Sequence, residues 1–262
     1  MHIFNKFATA VLVSLLIWLM SFGSEALAQA SVYGSSANGT EQAALEEQVL
    51  EIIRTHPEVL LESIQTYQQQ QFKQQLQARQ AFLQEMKVNP QGVVDASPKI
   101  GAAAQEIVLL EFGDFQCPYC GEVQGALKQF MEQHQDEVTL VYKFLPLGFI
   151  HPEALSAAKA AWAANQQGKF WPYQDALFAQ QDQLGESRYE EIAKTLNLNL
   201  TRFNQDRQSS AASAAIQQDL EMAKMLGARG TPFFVLNGEP LRGNVELSTL
   251  ESVLARVNRK DG

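Results

Sequence analysis

The sequence predicts an α/β protein: a mixed core in two halves, separated by a helical insertion and preceded by a long helical arm. Three observations predict it. A short apolar run ahead of Cys117-Pro118-Tyr119-Cys120 reads as a strand feeding a helix, and an alternating run follows as a second strand. Residues 151–226 carry almost only helical signals. The chain then ends on two short strands about Asn237-Gly238 and a last helix, so the order is βαβ, helices, ββα.

Residues 1–28 read as an export signal. Lys6 opens it, an apolar run over residues 7–22 follows, and Ala26-Leu27-Ala28 supplies small residues for cleavage before Gln29. The run is shorter than the roughly 20 residues a membrane span needs, although an uncleaved segment would anchor the chain. Residues 29–40, rich in Ser, Gly and Asn, read as flexible.

A helical arm is expected over residues 41–89. Leu45, Val49, Ile52 and Ile53 recur at the 3–4 spacing of an amphipathic helix. Pro57 interrupts the pattern, and Thr55 with Glu58 three residues on reads as a capping box that starts a second helix. That helix carries ten glutamines among residues 65–84 and a thin apolar stripe through Leu60, Ile64, Tyr67, Phe72 and Leu76. A narrow stripe on so long a helix suits self-association, giving two or three copies joined through residues 41–87; an exposed, fraying helix is the plainer reading. Residues 90–104, with Pro90, Gly92, Pro98 and Gly101, read as a linker, and residues 105–258 as the main domain.

Within that domain residues 106–112 are nearly continuously apolar, as in a strand buried on both faces. A helix over residues 117–134 and a strand over 138–144 follow. The insertion, residues 151–226, holds an Ala-rich helix, a helix near Trp171, a capping-box start at Ser187 with Glu190, and a long last helix. Trp162, Phe170, Trp171, Tyr173 and Phe178 read as its core. Asn237-Gly238 is a tight hairpin signal between a strand at 233–236 and a return at 241–243. A helix over 247–257 closes the domain. Asn38-Gly39-Thr40 and Asn199-Leu200-Thr201 fit a glycosylation pattern that often occurs by chance.

The chain has two cysteines, both in Cys117-Pro118-Tyr119-Cys120. A bridge across two residues closes too short a loop to restrain the unfolded chain much, so the pair points to chemistry rather than bracing. Export would place it where disulfides persist. Cys117 at a helix start would have its thiolate favoured by unpaired N–H groups and the helix dipole, with Pro118 suited to the first turn. Cys120, one turn in, would be more buried and would resolve a mixed disulfide. Half of a zinc site and an incidental core pair are the competing readings, though no histidine has matching ligand spacing. A net charge of −9 without a basic cluster argues against a nucleic-acid partner.

Phe112-Gly113-Asp114-Phe115-Gln116-Cys117-Pro118-Tyr119-Cys120, with Gly230-Thr231-Pro232-Phe233-Phe234-Val235 downstream, resembles the DsbA-like branch of the thioredoxin superfamily. The arm is similar only in general character to the extensions of the oligomeric DsbC/DsbG and ScsC types. The resemblance implies a thioredoxin-like core and a redox-active Cys117–Cys120 disulfide, with no organic cofactor or metal. It implies that Pro232 is a cis proline facing the active sulfur, and that Thr231 pairs with an extended substrate in β-augmentation, with Pro118 and Tyr119 beside it. Threonine before that proline is similar to the isomerase-like members. Glu111, six residues before Cys117, matches the buried acid beneath the motif, which would take the proton of Cys120; an edge glutamate facing water is the alternative. Lys143 is a candidate charge partner for it. His151, in a stretch that resembles the start of a family helix, reads as a capping residue.

The expected function is an exported, periplasmic thiol–disulfide oxidoreductase that forms, reduces or isomerises disulfides in cysteine-containing exported clients, coupled to a membrane redox partner. A non-enzymatic chaperone or adaptor for unfolded or metal-loaded exported proteins is the alternative. Some apolar surface near the motif should be exposed to hold clients.

Overall fold

The computed structural model describes residues 38–242 and 245–259. The expected export signal and most of the flexible segment lie outside them. By its contacts the chain divides after residue 71 into two compact parts. The first holds α1 (Asn38–Thr55) and the opening of α2 (Pro57–Val88). α1 begins three residues before the expected start at residue 41. The expected capping box is not formed: the Thr55 hydroxyl donates back to the carbonyls of Glu51 and Ile52, and His56 Nδ1 meets Glu58 Oε1 instead. The apolar residues of α1 and of the start of α2 are exposed.

The second part is built on a five-stranded sheet in the order β1-β3-β2-β4-β5, formed by β1 (Lys99–Gly101), β2 (Ile107–Gly113), β3 (Val138–Phe144), β4 (Phe233–Leu236) and β5 (Glu239–Arg242). β2 and β3 are parallel, joined by α3 (Pro118–His134), and the other pairs are antiparallel. Residues 90–104 are thus not simply a linker: they hold a 3-10 turn (Pro90–Val93) and the edge strand β1. β1 carries exposed side chains and is held by its backbone, so it leaves no apolar pattern to read.

Helices cover both faces. On one, α3 and α9 (Leu247–Asn258) pack on Leu109, Leu140, Phe234 and Leu236. On the other, α8 (Ser210–Leu226) and the end of α2 pack on Val108, Leu110, Phe112 and Val141. Met86 of α2 is fully buried there, which makes the end of α2 part of the domain. The insertion packs α4 (Ala154–Asn165), α5 (Phe170–Phe178), α6 (Glu186–Thr195) and α7 (Leu200–Arg207) around Phe170 and Tyr173, with Trp162, Trp171 and Phe178 partly buried against them. α6 starts at Glu186 with Gly185 before it, so Ser187 lies inside the first turn and is not the cap. Asn199 and Ser209 do cap α7 and α8, each accepting an N–H three residues on. At the hairpin Asn237 and Gly238 take φ of 40° and 77°. A Cβ on Gly238 would lie 2.2 Å from the Leu83 carbonyl oxygen, so this turn needs glycine to seat α2.

Candidate active site

β2 delivers the chain to the open end of the sheet, where it turns through Asp114, Phe115 and Gln116 into α3. Cys117 sits at the N-cap with extended backbone, and Pro118 is the first helical residue, where its missing N–H costs nothing. Both cysteines are free thiols. The Cys117 sulfur lies 3.4 Å from the Thr231 carbonyl oxygen, and the Thr231–Pro232 peptide bond is cis. Residues 227–233, Thr231 and Pro232 among them, line a pocket of their own, and Tyr119 stands exposed.

The two thiols are in opposite states. The Cys120 thiol donating to its sulfur holds Cys117 down at about 5 against the effect of burial, helped by Thr231 and then by the N–H groups of Cys120 and Tyr119. Burial, reinforced by the bond to Cys117, pushes Cys120 far above the ordinary thiol range. The Asp114 N–H donates to the Cys120 sulfur at 3.5 Å.

Glu111 is fully buried, and burial raises its carboxyl to about 8, partly offset by the Gln124 amide. Gln124 donates to Glu111 Oε1 at 2.9 Å and to the Cys120 carbonyl at 3.1 Å, tying α3 to β2. Lys143 is not the partner of Glu111. The residue beside Glu111 in register is Tyr142, so Lys143 faces the other side of the sheet. There its ammonium pairs with Asp95 at 2.7 Å and Asp219 at 3.4 Å. His151 is not a side-chain cap: its Nδ1 lies 2.9 Å from Asp114 Oδ2. Asp114 also accepts from the N–H groups of Gln116 and Leu147, both at 2.8 Å, which braces the turn before Cys117. Asp114, Gln124 and Tyr142 escaped the sequence reading. Asp114 lies within the motif before Cys117, whereas Gln124 and Tyr142 are tied to the site only through register and helix packing.

A poised thiolate above a buried thiol exchanges readily with disulfides, and the class so defined is that of thioredoxin-fold thiol–disulfide oxidoreductases. The chain belongs to the thioredoxin family, whose model, described as Thioredoxin, matches residues 94–256. Its fold is of the DsbA/ScsC-like kind. A thioredoxin-like oxidoreductase from Silicibacter pomeroyi DSS-3 is 28% identical with a TM-score of 0.56, over 63% of this chain and 94% of that one. Proteus mirabilis ScsC in a transitional conformation is 26% identical with a TM-score of 0.59, over 85% and 99%. Among curated proteins, the Na(+)/H(+) antiporter NhaA 3 of Salinispora tropica is 34% identical over 154 residues, 59% of this chain and 24% of that protein. The match thus spans about a quarter of that curated relative's length.

Proposed function

We propose that this chain is exported and exchanges disulfides with other exported proteins through a Cys117/Cys120 dithiol–disulfide cycle. The asymmetry between the two thiols carries the reading: one is held as a thiolate at a helix start, the other is kept protonated beneath it. In the reducing direction the Cys117 thiolate attacks a client disulfide, one client sulfur leaves, and a mixed disulfide forms. Cys120 then loses its proton and attacks Cys117, which closes the Cys117–Cys120 bridge and releases the second client sulfur. Oxidation of a client dithiol is the reverse. Glu111 is the group that takes and returns the Cys120 proton. Thr231 and Pro232 shape the groove, with Pro118 and Tyr119 at its edge. Exposed Tyr119, Phe149, Ile150 and Leu155 support binding of unfolded, cysteine-containing clients. A membrane protein would reset the pair, and the exposed stripe of α1 and α2 would join copies of the chain. Among the described residues no helix is long and apolar enough to cross a membrane.

Equilibration with glutathione buffers, together with trapping by Cys120→Ala, tests this. The parent should exchange with a model peptide disulfide, Cys120→Ala should accumulate the mixed disulfide, and Cys117→Ala should be inert. An inert parent, or a Cys117→Ala protein that still exchanges, would refute the proposal. A potential near about −120 mV would make the protein a disulfide donor, and one below about −200 mV a reductant or isomerase.

A further inference from the structure

Tyr142 contributes a hydroxyl to the site that packing alone does not require. It is the register partner of Glu111 across the parallel β2–β3 pair, so both side chains leave the same face of the sheet, beneath α3. Its ring is fixed, stacked on Phe115 at 5.3 Å between centroids and edge-on to Phe144 at 5.5 Å. The hydroxyl reaches along the strand toward the dithiol and lies against Gly113. A Cβ on Gly113 would stand 2.5 Å from the hydroxyl oxygen and 2.8 Å from the ring carbon that bears it. Glycine there leaves the hydroxyl its room.

Both Tyr142 and Glu111 are fully buried, and the Tyr142 hydroxyl and Glu111 Oε2 are among the few buried polar atoms of the described residues with no hydrogen-bond partner. Leaving either atom unpaired is costly, and phenylalanine would fill the same space without that cost. Two such atoms on paired register positions beside one thiol are complementary: a donor and an acceptor. The groups whose charge bears on the hydroxyl are all acidic: Glu111 from β2, Cys120 from α3, Asp114 from the turn between them and, from the opposite side of the sheet, Asp219 of α8. Burial and these neighbours hold the phenol proton firmly in place, so the group is a constant donor.

We propose that Tyr142 is a positioning residue of the resolving step, its hydroxyl donating to Glu111 Oε2 across one water, while Gln124 holds Oε1, so that the carboxylate is aimed at Cys120. This rests on the Cys117/Cys120 cycle proposed above. In that step the Cys120 proton passes to the carboxylate and its sulfur forms a bond to Cys117. The bond from Cys117 to the client breaks, and its electron pair leaves on the client sulfur. The protein dithiol is oxidised and the client disulfide reduced, with no other reactant.

Acid-quenched mixing of reduced protein with a peptide disulfide, followed by mass, separates formation of the mixed disulfide from its decay. Parent, Tyr142→Phe, Glu111→Gln and the double variant would be compared from pH 5 to 9. Tyr142→Phe should form the mixed disulfide at the parent rate and resolve it about tenfold more slowly, the worth of one hydrogen bond. Its decay profile should inflect at higher pH than the parent's, because a lost donor leaves the carboxylate harder to ionise. The double variant should be no slower than Glu111→Gln. If Glu111→Gln is slow while Tyr142→Phe matches the parent in rate and inflection, or if the two losses simply add, the role of Tyr142 is overturned and the cycle stands. If neither single variant slows decay, the proton-transfer role of Glu111 falls, and that of Tyr142 with it. If no mixed disulfide forms, the cycle itself is overturned as well.

Discussion

Cys117 and Cys120 are the same side chain three positions apart, and the difference in their chemistry comes from one thiol donating to the other and from how deeply each is set. Cys117 receives the Cys120 thiol proton and first-turn N–H groups; Cys120 lies in the core and receives one N–H. Absorbance of the reduced protein at 240 nm should therefore titrate with a midpoint at about 5. Cys120→Ala should move that midpoint upward, since it removes the largest favourable contact; an unmoved midpoint would assign the shift to Thr231 and the helix start. The folded thiol loses its proton at lower pH than the unfolded one. Between about 5 and the ordinary thiol value the unfolded chain therefore binds more protons, and stability of the reduced form rises with pH across that window. The gain is complete above the unfolded value and lost as pH falls through about 5. Urea melts of the reduced parent and Cys117→Ala should accordingly converge below pH 5 and separate above it. The dithiol was legible because two cysteines in one short motif have few other uses. Glu111 was legible because an acid in an apolar strand needs a reason. Lys143 was misread for want of register: next to Tyr142 in sequence, it is on the opposite face.

At the scale of elements, α3 is fixed at both ends. Its N-terminus is held by Gln124 and the Asp114 turn, and its C-terminus by His134, whose Nε2 lies 2.9 Å from Glu251 of α9 and whose Nδ1 meets Glu137. Burial disfavours the charged ring, but the carboxylates of Glu137 and Glu251 outweigh it and raise its pKa. A raised histidine contributes stability that is complete below the unfolded value, about 6.5, and lost as pH rises through the folded one. His134→Gln should thus cost about 1 kcal/mol or less at pH 6, since both carboxylates are partly exposed, and less still at pH 8.5. Urea melts at the two pH values check this; an equal loss at both would reduce the contact to packing. The elements that the sequence revealed are those with a pattern: a continuous apolar run in β2, an alternating run in β3 whose Thr139 and Lys143 are nonetheless buried, and Asn-Gly at the hairpin. β1 and the true start of β5 at Glu239 had none, because a three-residue edge strand is held by main-chain bonds, and Pro240 argues locally against a strand.

For the whole molecule, α1 and α2 pose a problem of exposure. Leu45 and Ile52 are each 59% exposed and Tyr67 62%, in a run that also includes Val49, Ile53, Leu60 and Ile64. Scattered apolar residues on a surface mean little, but a stripe sustained at helical spacing is costly in water and is relieved by a matching stripe. A second copy of the same arm would supply one, as proposed above. Met86, with Phe82 and Leu83 packed beside it, belongs to the domain core, so removing residues 41–87 would damage the fold as well as the arm. Substitution on the stripe is the cleaner probe. Val49→Asp with Ile53→Asp introduces two charges on one face of α1 and touches no core residue. Light scattering should give the parent the mass of two or three chains and the double variant that of one. Oxidation of a dithiol peptide, which needs a single Cys117–Cys120 pair, should stay within about twofold, well inside a tenfold effect of 1.4 kcal/mol. Repair of a scrambled client, which gains from several pairs held around it, should fall by at least about tenfold, the loss expected when effective concentration disappears. A parent that runs as one chain would leave the stripe without its proposed partner, and an assembled double variant would place the contact elsewhere.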